Sequence, residues 1–303
     1  MTGAQIAAQA ATRREVFPRA SRGSRVADVL FRLAMFAAVG VGFLALATLL
    51  YVVASDGLGR ISIDFLTNFP SKVIPESSGI QSALVGTLYL MVLTAVMVVP
   101  LGVATAIYLE EYADSSRWYN RLIEVNIQNL AAVPSVVYGI LGLAFIVRGP
   151  LGMGRVLLAG GITLALLVLP VVIIVSREAI RAVPPSIREG SLALGATQWQ
   201  TIWKQVLPGS IAGIATGVIL ALSRAIGETA PLLLIGAAAS PRFNPSGLLE
   251  PFTALPIQIF VWTQDSDRSF VAAAAGAILV LMNLLLLMNS VAIFLRNRFE
   301  QKW

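Results

Sequence analysis

The chain has 303 residues, of which 57% are hydrophobic and 13% charged, and its mean hydropathy is +0.80; this is far from the mix of a soluble globular domain and makes lipid the expected solvent. It contains no cysteine and no histidine, which excludes disulfides, thiolate or imidazole metal ligands, and Cys–His or Ser–His catalytic pairs. The net charge of +6 carries information through where the cations fall rather than through its sum.

In chain order, residues 1–32 read as a basic tail that opens on an Ala-, Arg- and Ser-rich stretch. The apolar run that follows is longer than the roughly 7 to 15 residues of a cleaved signal core and reads as an anchor. A helix needs about 20 apolar residues to cross about 30 Å of hydrocarbon, and six stretches qualify, at 33–54, 84–109, 127–147, 156–176, 211–238 and 271–295. Helices are required because backbone groups in lipid must bond internally. The predicted fold is therefore an all-α membrane protein of six transmembrane helices. Its segments are the tail 1–32, the first span with an outer segment 33–83, a helical body 84–295 that includes a loop at 177–210, and a short tail 296–303. Pro100, Pro134, Pro170 and Pro231 fall inside spans, either as kinks or as breaks that line a path.

An even number of spans places both ends on one side. That side collects Arg13, Arg14, Arg19, Arg22, Arg25 and Arg32, then Arg117 and Arg121, then Arg177, Arg181, Arg188 and Lys204, then Arg296, Arg298 and Lys302. The other side has Arg60, Lys72, Arg148, Arg155, Arg242 and Arg268. The positive-inside rule assigns the first side, with both termini, to the cytoplasm.

The loop between the fourth and fifth spans reads Val183-Pro184-Pro185-Ser186-Ile187-Arg188-Glu189-Gly190-Ser191-Leu192-Ala193-Leu194-Gly195. Proline opens helices and glycine closes them, so a short helix is predicted over 185–194 with Gly195 as its left-handed cap. Thr197 and Gln200 form a capping box for a second helix, with Trp199, Ile202, Trp203 and Val206 on one stripe and Pro208 as its end. This second helix is expected to lie along the membrane surface. The small residues Gly190, Ser191 and Ala193 suit the first helix to a partner's cleft, against the plainer reading of an ordinary amphipathic loop.

Here the residues carry a resemblance. Glu189-Gly190-Ser191, then Gly195, then Leu207-Pro208 is similar to the EAA signature of bacterial ABC importer permeases, which docks on the ATPase subunit; Gly190 and Ser191 replace its paired alanines, and Gln205 its isoleucine. Phe65-Leu66-Thr67-Asn68-Phe69-Pro70, Ala132-Val133-Pro134-Ser135-Val136-Val137-Tyr138-Gly139, Arg224-Ala225-Ile226-Gly227-Glu228-Thr229-Ala230-Pro231 and Leu255-Pro256-Ile257-Gln258-Ile259 resemble the PstA family of phosphate permeases. The resemblance implies a MetI-like ABC importer permease fold over the helical body. It implies a heterodimer with a PstC-like sister permease, a PstB-like ATPase dimer and a periplasmic PstS-like phosphate-binding protein. It also implies ATPase coupling through Glu189, Gly190, Ser191, Ala193, Gly195, Leu207 and Pro208. The chain itself would bind no cofactor, with ATP and Mg held by the ATPase, and would sit in the bacterial inner membrane as a non-catalytic subunit. The sister permease or another oxyanion permease are the alternatives.

Independently of family, Arg224 and Glu228 stand inside the fifth span, where a central Arg costs at least about 2.5 to 3.5 kcal/mol. At i, i+4 they are expected to share one helix face. They either neutralise each other or mark a substrate pathway, and a guanidinium matches phosphate oxygens with paired hydrogen bonds. Arg224, Glu228 and Thr229 are the predicted pathway residues, with Glu228 orienting Arg224. Gly213, Gly217, Ala221 and Ala225 make a small-residue stripe that admits an unidentified neighbouring helix. The sequence has no Gly-rich P-loop, so the power source is expected on another chain. A secondary anion transporter or channel would fit the spans but leaves the docking loop without a purpose, and a membrane-embedded enzyme would need more polar groups in the spans.

Overall fold

The structure is a computed structural model that describes residues 22–71, 74–114, 116–237 and 241–299. Arg13, Arg14, Arg19, Lys72, Lys302 and most of the basic tail lie outside the described residues. The chain divides into two units, Met1–Val52 and Val53–Trp303. The described part of the first unit belongs to helix α1 (Arg22–Gly57), which carries Arg25, Asp28 and Arg32 near its start and no charge from Leu33 to Ala54, as a helix solvated by lipid requires.

In the second unit, α2 (Ile63–Thr67) is followed by α3 (Gln81–Ile107), which runs into a π-turn at Tyr108–Tyr112. Next come α4 (Trp118–Ala131) and α5 (Ser135–Leu141), the latter extended by a π-turn at Gly142–Val147. Then follow α6 (Leu157–Arg181), the short α7 (Pro185–Ala193), and α8 (Gln198–Thr201), which passes through a π-turn at Ile202–Val206 into α9 (Leu207–Ala225). The short α10 (Ala230–Ile235) and α11 (Leu255–Thr263) precede the long α12 (Phe270–Phe299). Among the described residues five helices are long and apolar enough to cross a membrane, and the pair Trp118–Ala131 and Ser135–Val147, bent by 106°, brings the number to six when counted as one span.

Three of the sequence expectations are corrected. The predicted span at 127–147 is not one helix: it breaks at Ala132–Pro134, where Pro134 caps α5 and its ring disfavours a helical Val133. The predicted span at 211–238 also breaks, after Ala225. Pro231 lies in the first turn of α10, where its missing N–H is no loss; upstream, no amide exists there to continue α9. Pro208 does not end the helix that begins at Gln198. The π-turn at Ile202–Val206 precedes it, so the bond a proline cannot make is absorbed by a widened turn and the helix runs on without a break to Ala225. Pro100 and Pro170 sit in continuous helices, flanked by buried Val98 and Gly102 and by buried Val168 and Val172.

The core is built where α3, α6 and α9 meet: Met91, Val98, Val168, Val172, Ala221 and Ala225 are all buried in one cluster. A second cluster joins Phe65 and Ile80 to Leu255 and Trp262 of α11 and Phe270 and Ala274 of α12. The small-residue stripe on α9 finds its neighbour within this chain. A Cβ on Gly217 would lie 2.1 Å from Cγ1 of Val175, and one on Gly213 would lie 2.6 Å from Cβ of Ala179, both on α6. Replacing Gly217 by Val is expected to separate α9 from α6 and destabilise the bundle by about 1–3 kcal/mol; a thermal melt of the detergent-solubilised protein should show a lower midpoint.

Candidate functional site

Two separate regions hold the residues singled out by sequence. The first is α7. Pro184 caps it and Pro185 opens its first turn. At its far end the Ala196 amide donates to the Ser191 carbonyl at 3.2 Å and the Gly195 amide to the Leu192 carbonyl at 2.9 Å. That is a Schellman closure with Gly195 at φ +83°. The predicted capping box is present in full, with Thr197 and Gln200 bonding each other's backbone. No residue of α7 is buried. Glu189, Gly190, Ala193 and Gly195 are exposed, a side chain on Gly190 would meet open space, and Leu194 is 92% exposed. Ser191 turns inward to share a hydrogen bond of 2.9 Å with Thr201. Together with Gln200, Lys204 and Gln205 the loop borders a groove of about 400 Å³. Leu207 and Pro208 are not part of this surface; they lie in an apolar groove with Val103 and Trp203, one turn further along the helix.

What fixes α7 on the bundle was not foreseen from sequence. The π-turn after α3 splays two adjacent carboxylates to different partners. Glu110 receives Arg181 at 2.9 and 3.0 Å and Arg177 at 3.4 Å, and Arg177 also reaches Glu124 of α4 at 2.7 Å. Glu111 receives the Nε and Nη2 of Arg188 at 3.0 and 2.9 Å. The only sequence signal was Glu110-Glu111 closing an apolar run opposite an arginine-rich loop.

The second region is the break between α9 and α10. Glu228 lies beyond the last helical residue, so the shared helix face expected for Arg224 and Glu228 is not what joins them. The chain turns at Gly227, and Arg224 Nε still meets Glu228 Oε1 at 3.3 Å. Glu228 is largely buried, with 15% of its side chain exposed, while that of Arg224 is 51% exposed. The pair thus leaves most of the guanidinium's donors free in direction. Thr229 stands beside them, its hydroxyl 3.5 Å from the Gly227 carbonyl. The other broken crossing packs against this one, since a Cβ on Gly139 of α5 would lie 2.7 Å from Cα of Pro231. Across its own break, the Tyr138 hydroxyl donates to the Leu130 carbonyl at 2.9 Å. On the other flank of α9, the Ser223 hydroxyl donates to Asn289 Oδ1 of α12 at 2.6 Å.

A multi-pass helical bundle with two helix breaks in contact, an Arg–Glu pair at one break and an exposed helix closed by its own caps has the architecture of a transport permease. Comparison with known proteins agrees. A family profile described as binding-protein-dependent transport system inner membrane component matches residues 98–302, and the chain belongs to this family. Among its relatives, the probable ABC transporter permease protein YqgI of Bacillus subtilis is 32% identical over 281 residues, covering 89% of this chain and 92% of that one. The phosphate transport system permease protein PstA 1 of Mycobacterium tuberculosis is 32% identical over 264 residues, covering 86% and 84%. The fold is that of the MetI-type permeases. A bacterial alginate ABC transporter in complex with alginate pentasaccharide-bound periplasmic protein superposes with TM-score 0.66 at 17% identity, covering 92% of this chain and 98% of that one. The inward-facing MetNI methionine ABC transporter gives TM-score 0.58 at 17% identity, covering 74% and 95%.

Because only glycine adopts the φ of residue 195 without penalty, Gly195→Val should cost about 1–2 kcal/mol locally. The expected outcome is a frayed α7, seen as faster amide exchange over residues 191–196 with the spans unchanged.

Proposed function

We propose that this chain is one of the two membrane subunits of an ATP-driven importer of inorganic phosphate in the bacterial inner membrane. In this reading it forms the translocation path with a PstC-like sister permease. The observation that carries the substrate reading is the half-exposed guanidinium of Arg224, held at the helix break after Ala225 by largely buried Glu228. A cation left in direct view of hydrocarbon would be costly, so its open side faces a water-filled path shared with the sister chain. There its free donors bind phosphate oxygens in pairs. The relatives named as phosphate permeases support phosphate over other oxyanions. Glu228 orients Arg224 and accepts a hydrogen bond from the hydroxyl of hydrogen phosphate, a group that sulfate lacks at neutral pH.

Importing a divalent anion against a negative interior costs about 4.6 kcal/mol per 100 mV, at about 2.3 per charge. The chain has no phosphate-binding loop of its own, so the work comes from a PstB-like ATPase dimer that binds ATP and Mg and seats α7 in its surface. Glu189, Gly190, Ala193 and Gly195 face that partner, Ser191 secures the helix from behind, and Leu207 and Pro208 carry the push into α9. A PstS-like protein delivers phosphate at the opposite face. Both termini then lie in the cytoplasm with the arginine-rich ends of the spans.

In proteoliposomes with all subunits, Arg224→Gln should lower phosphate uptake at least about tenfold, a loss of about 1.4 kcal/mol or more, while the ATPase still copurifies. Glu228→Gln should narrow the preference for phosphate over sulfate. Wild-type uptake by Arg224→Gln, or unchanged selectivity in Glu228→Gln, would remove the corresponding residue from the path. Scrambling residues 189–195 should abolish ATPase copurification.

A further inference from the structure

We infer that Glu111 is the positioning residue that transmits movement of α7 into the bundle, acting as a strut between the docking helix and the end of α3. The inference rests on the reading that α7 docks the ATPase.

The geometry points to Glu111 in three ways. Its side chain is only 9% exposed although it lies at the end of a span, and both contacts from Arg188 converge on one oxygen, Oε1. Arg188 also donates to the Val183 carbonyl at 2.6 Å and to the Ile180 carbonyl at 2.8 Å. One guanidinium therefore ties α7 to the last turn of α6 and to the end of α3 together. The backbone carbonyl of Glu111 accepts the side-chain amide of Gln198, the residue that opens the helix leading into α9. The helices before and after Gly195 are thus both fastened to one residue. Adjacent side chains of α7 divide the work: Glu189 points outward and Arg188 inward.

A charge-assisted fork in a partly buried setting is stiff and directional, unlike the apolar contacts around it. The neighbouring Glu110 carries the same end of α3 to Arg177 and Arg181 of α6. Displacing α7 must therefore move the ends of α3, α6 and the helix entering α9 as a group. Those three helices build the core beside the Arg224 break. Loss of the strut should leave a docking helix that still binds and still lets the ATPase turn over, while the spans follow it poorly.

The test is the ratio of phosphate imported to ATP hydrolysed, measured with the complete transporter in proteoliposomes, together with ATPase copurification. For Glu111→Gln, which keeps size and an acceptor but removes the charge, copurification should be unchanged and the ratio should fall at least about fivefold, the lower end of ordinary coupling energies. Glu111→Asp, which restores the charge, should recover at least about half of the ratio. Arg188→Lys, which keeps the charge and loses the fork, should fall between wild type and Glu111→Gln and remains informative if Glu111→Gln fails to reach the membrane. An unchanged ratio in the assembled variants, or uptake and hydrolysis falling in step, would overturn the inference. The complex with residues 189–195 scrambled separates the two claims. If it still holds the ATPase, the docking reading fails; if it loses the ATPase while Glu111→Gln keeps a normal ratio, only the strut fails.

Discussion

The constraint on which this structure depends is that a backbone in hydrocarbon has no water to bond. A helix can therefore be interrupted at depth only where protein or an aqueous path takes over its unpaired groups. The chain interrupts two of the spans expected from sequence, at Ala132–Pro134 and between Ala225 and Ala230, and packs the resulting short helices α5 and α10 against each other through Gly139 and Pro231. The Arg224–Glu228 pair sits at one of these interruptions. An unbroken helix would have projected the two side chains from a continuous cylinder; the turn at Gly227 instead folds the carboxylate inward and leaves the guanidinium half exposed. Helix break and ion pair are one feature seen at two scales.

Helix continuity also links the loop around α7 to the break after Ala225. α9 is continuous from the docking loop to the break, because the π-turn at Ile202–Val206 carries the helix past Pro208. Thr201, which holds Ser191 of α7, and Arg224 therefore lie on a single rod. The close packing of Gly213 and Gly217 on α6 means that the rod cannot move without its neighbour. The carboxylates of the π-turn at Tyr108–Tyr112 bind α3 to the same group of helices. Three π-turns lie among the described residues, and two of them border the loop that carries α7, where a widened turn re-aims side chains without ending a helix.

Much of this was legible in the sequence, for identifiable reasons. Long apolar runs such as 156–176 stand out because burial in lipid admits few charges. α7 was readable to within one residue because Pro185 and Gly195 have strong local preferences that no distant contact opposes, and the Thr197–Gln200 box is equally local. At Ala132–Pro134 the sequence left a kink or a break open, because Pro134 allows either and the choice depends on the packing of α5 against α10. α11, nine residues long, is too short to register as a span and forms because Trp262 and Leu255 are buried by α2 and α12. The carboxylate network needs Glu111 and Arg188 to meet across 77 positions, which no periodicity reveals. Pro208 misled because a proline ends a helix in isolation, whereas here the surrounding packing of Val206 and Ser210, both buried, makes a π-turn the cheaper solution.

The central claim is that the break after Ala225 lines an aqueous path for an anion. Since the chain has no cysteine of its own, a single Thr229→Cys substitution, assembled with cysteine-free partner chains, can be probed with a charged, water-soluble thiol reagent in membranes. The account predicts that Cys at this position is modified and that phosphate, but not chloride, slows the reaction severalfold. A thiol that stays unmodified throughout the ATP cycle, or one modified at the same rate with and without phosphate, would contradict it.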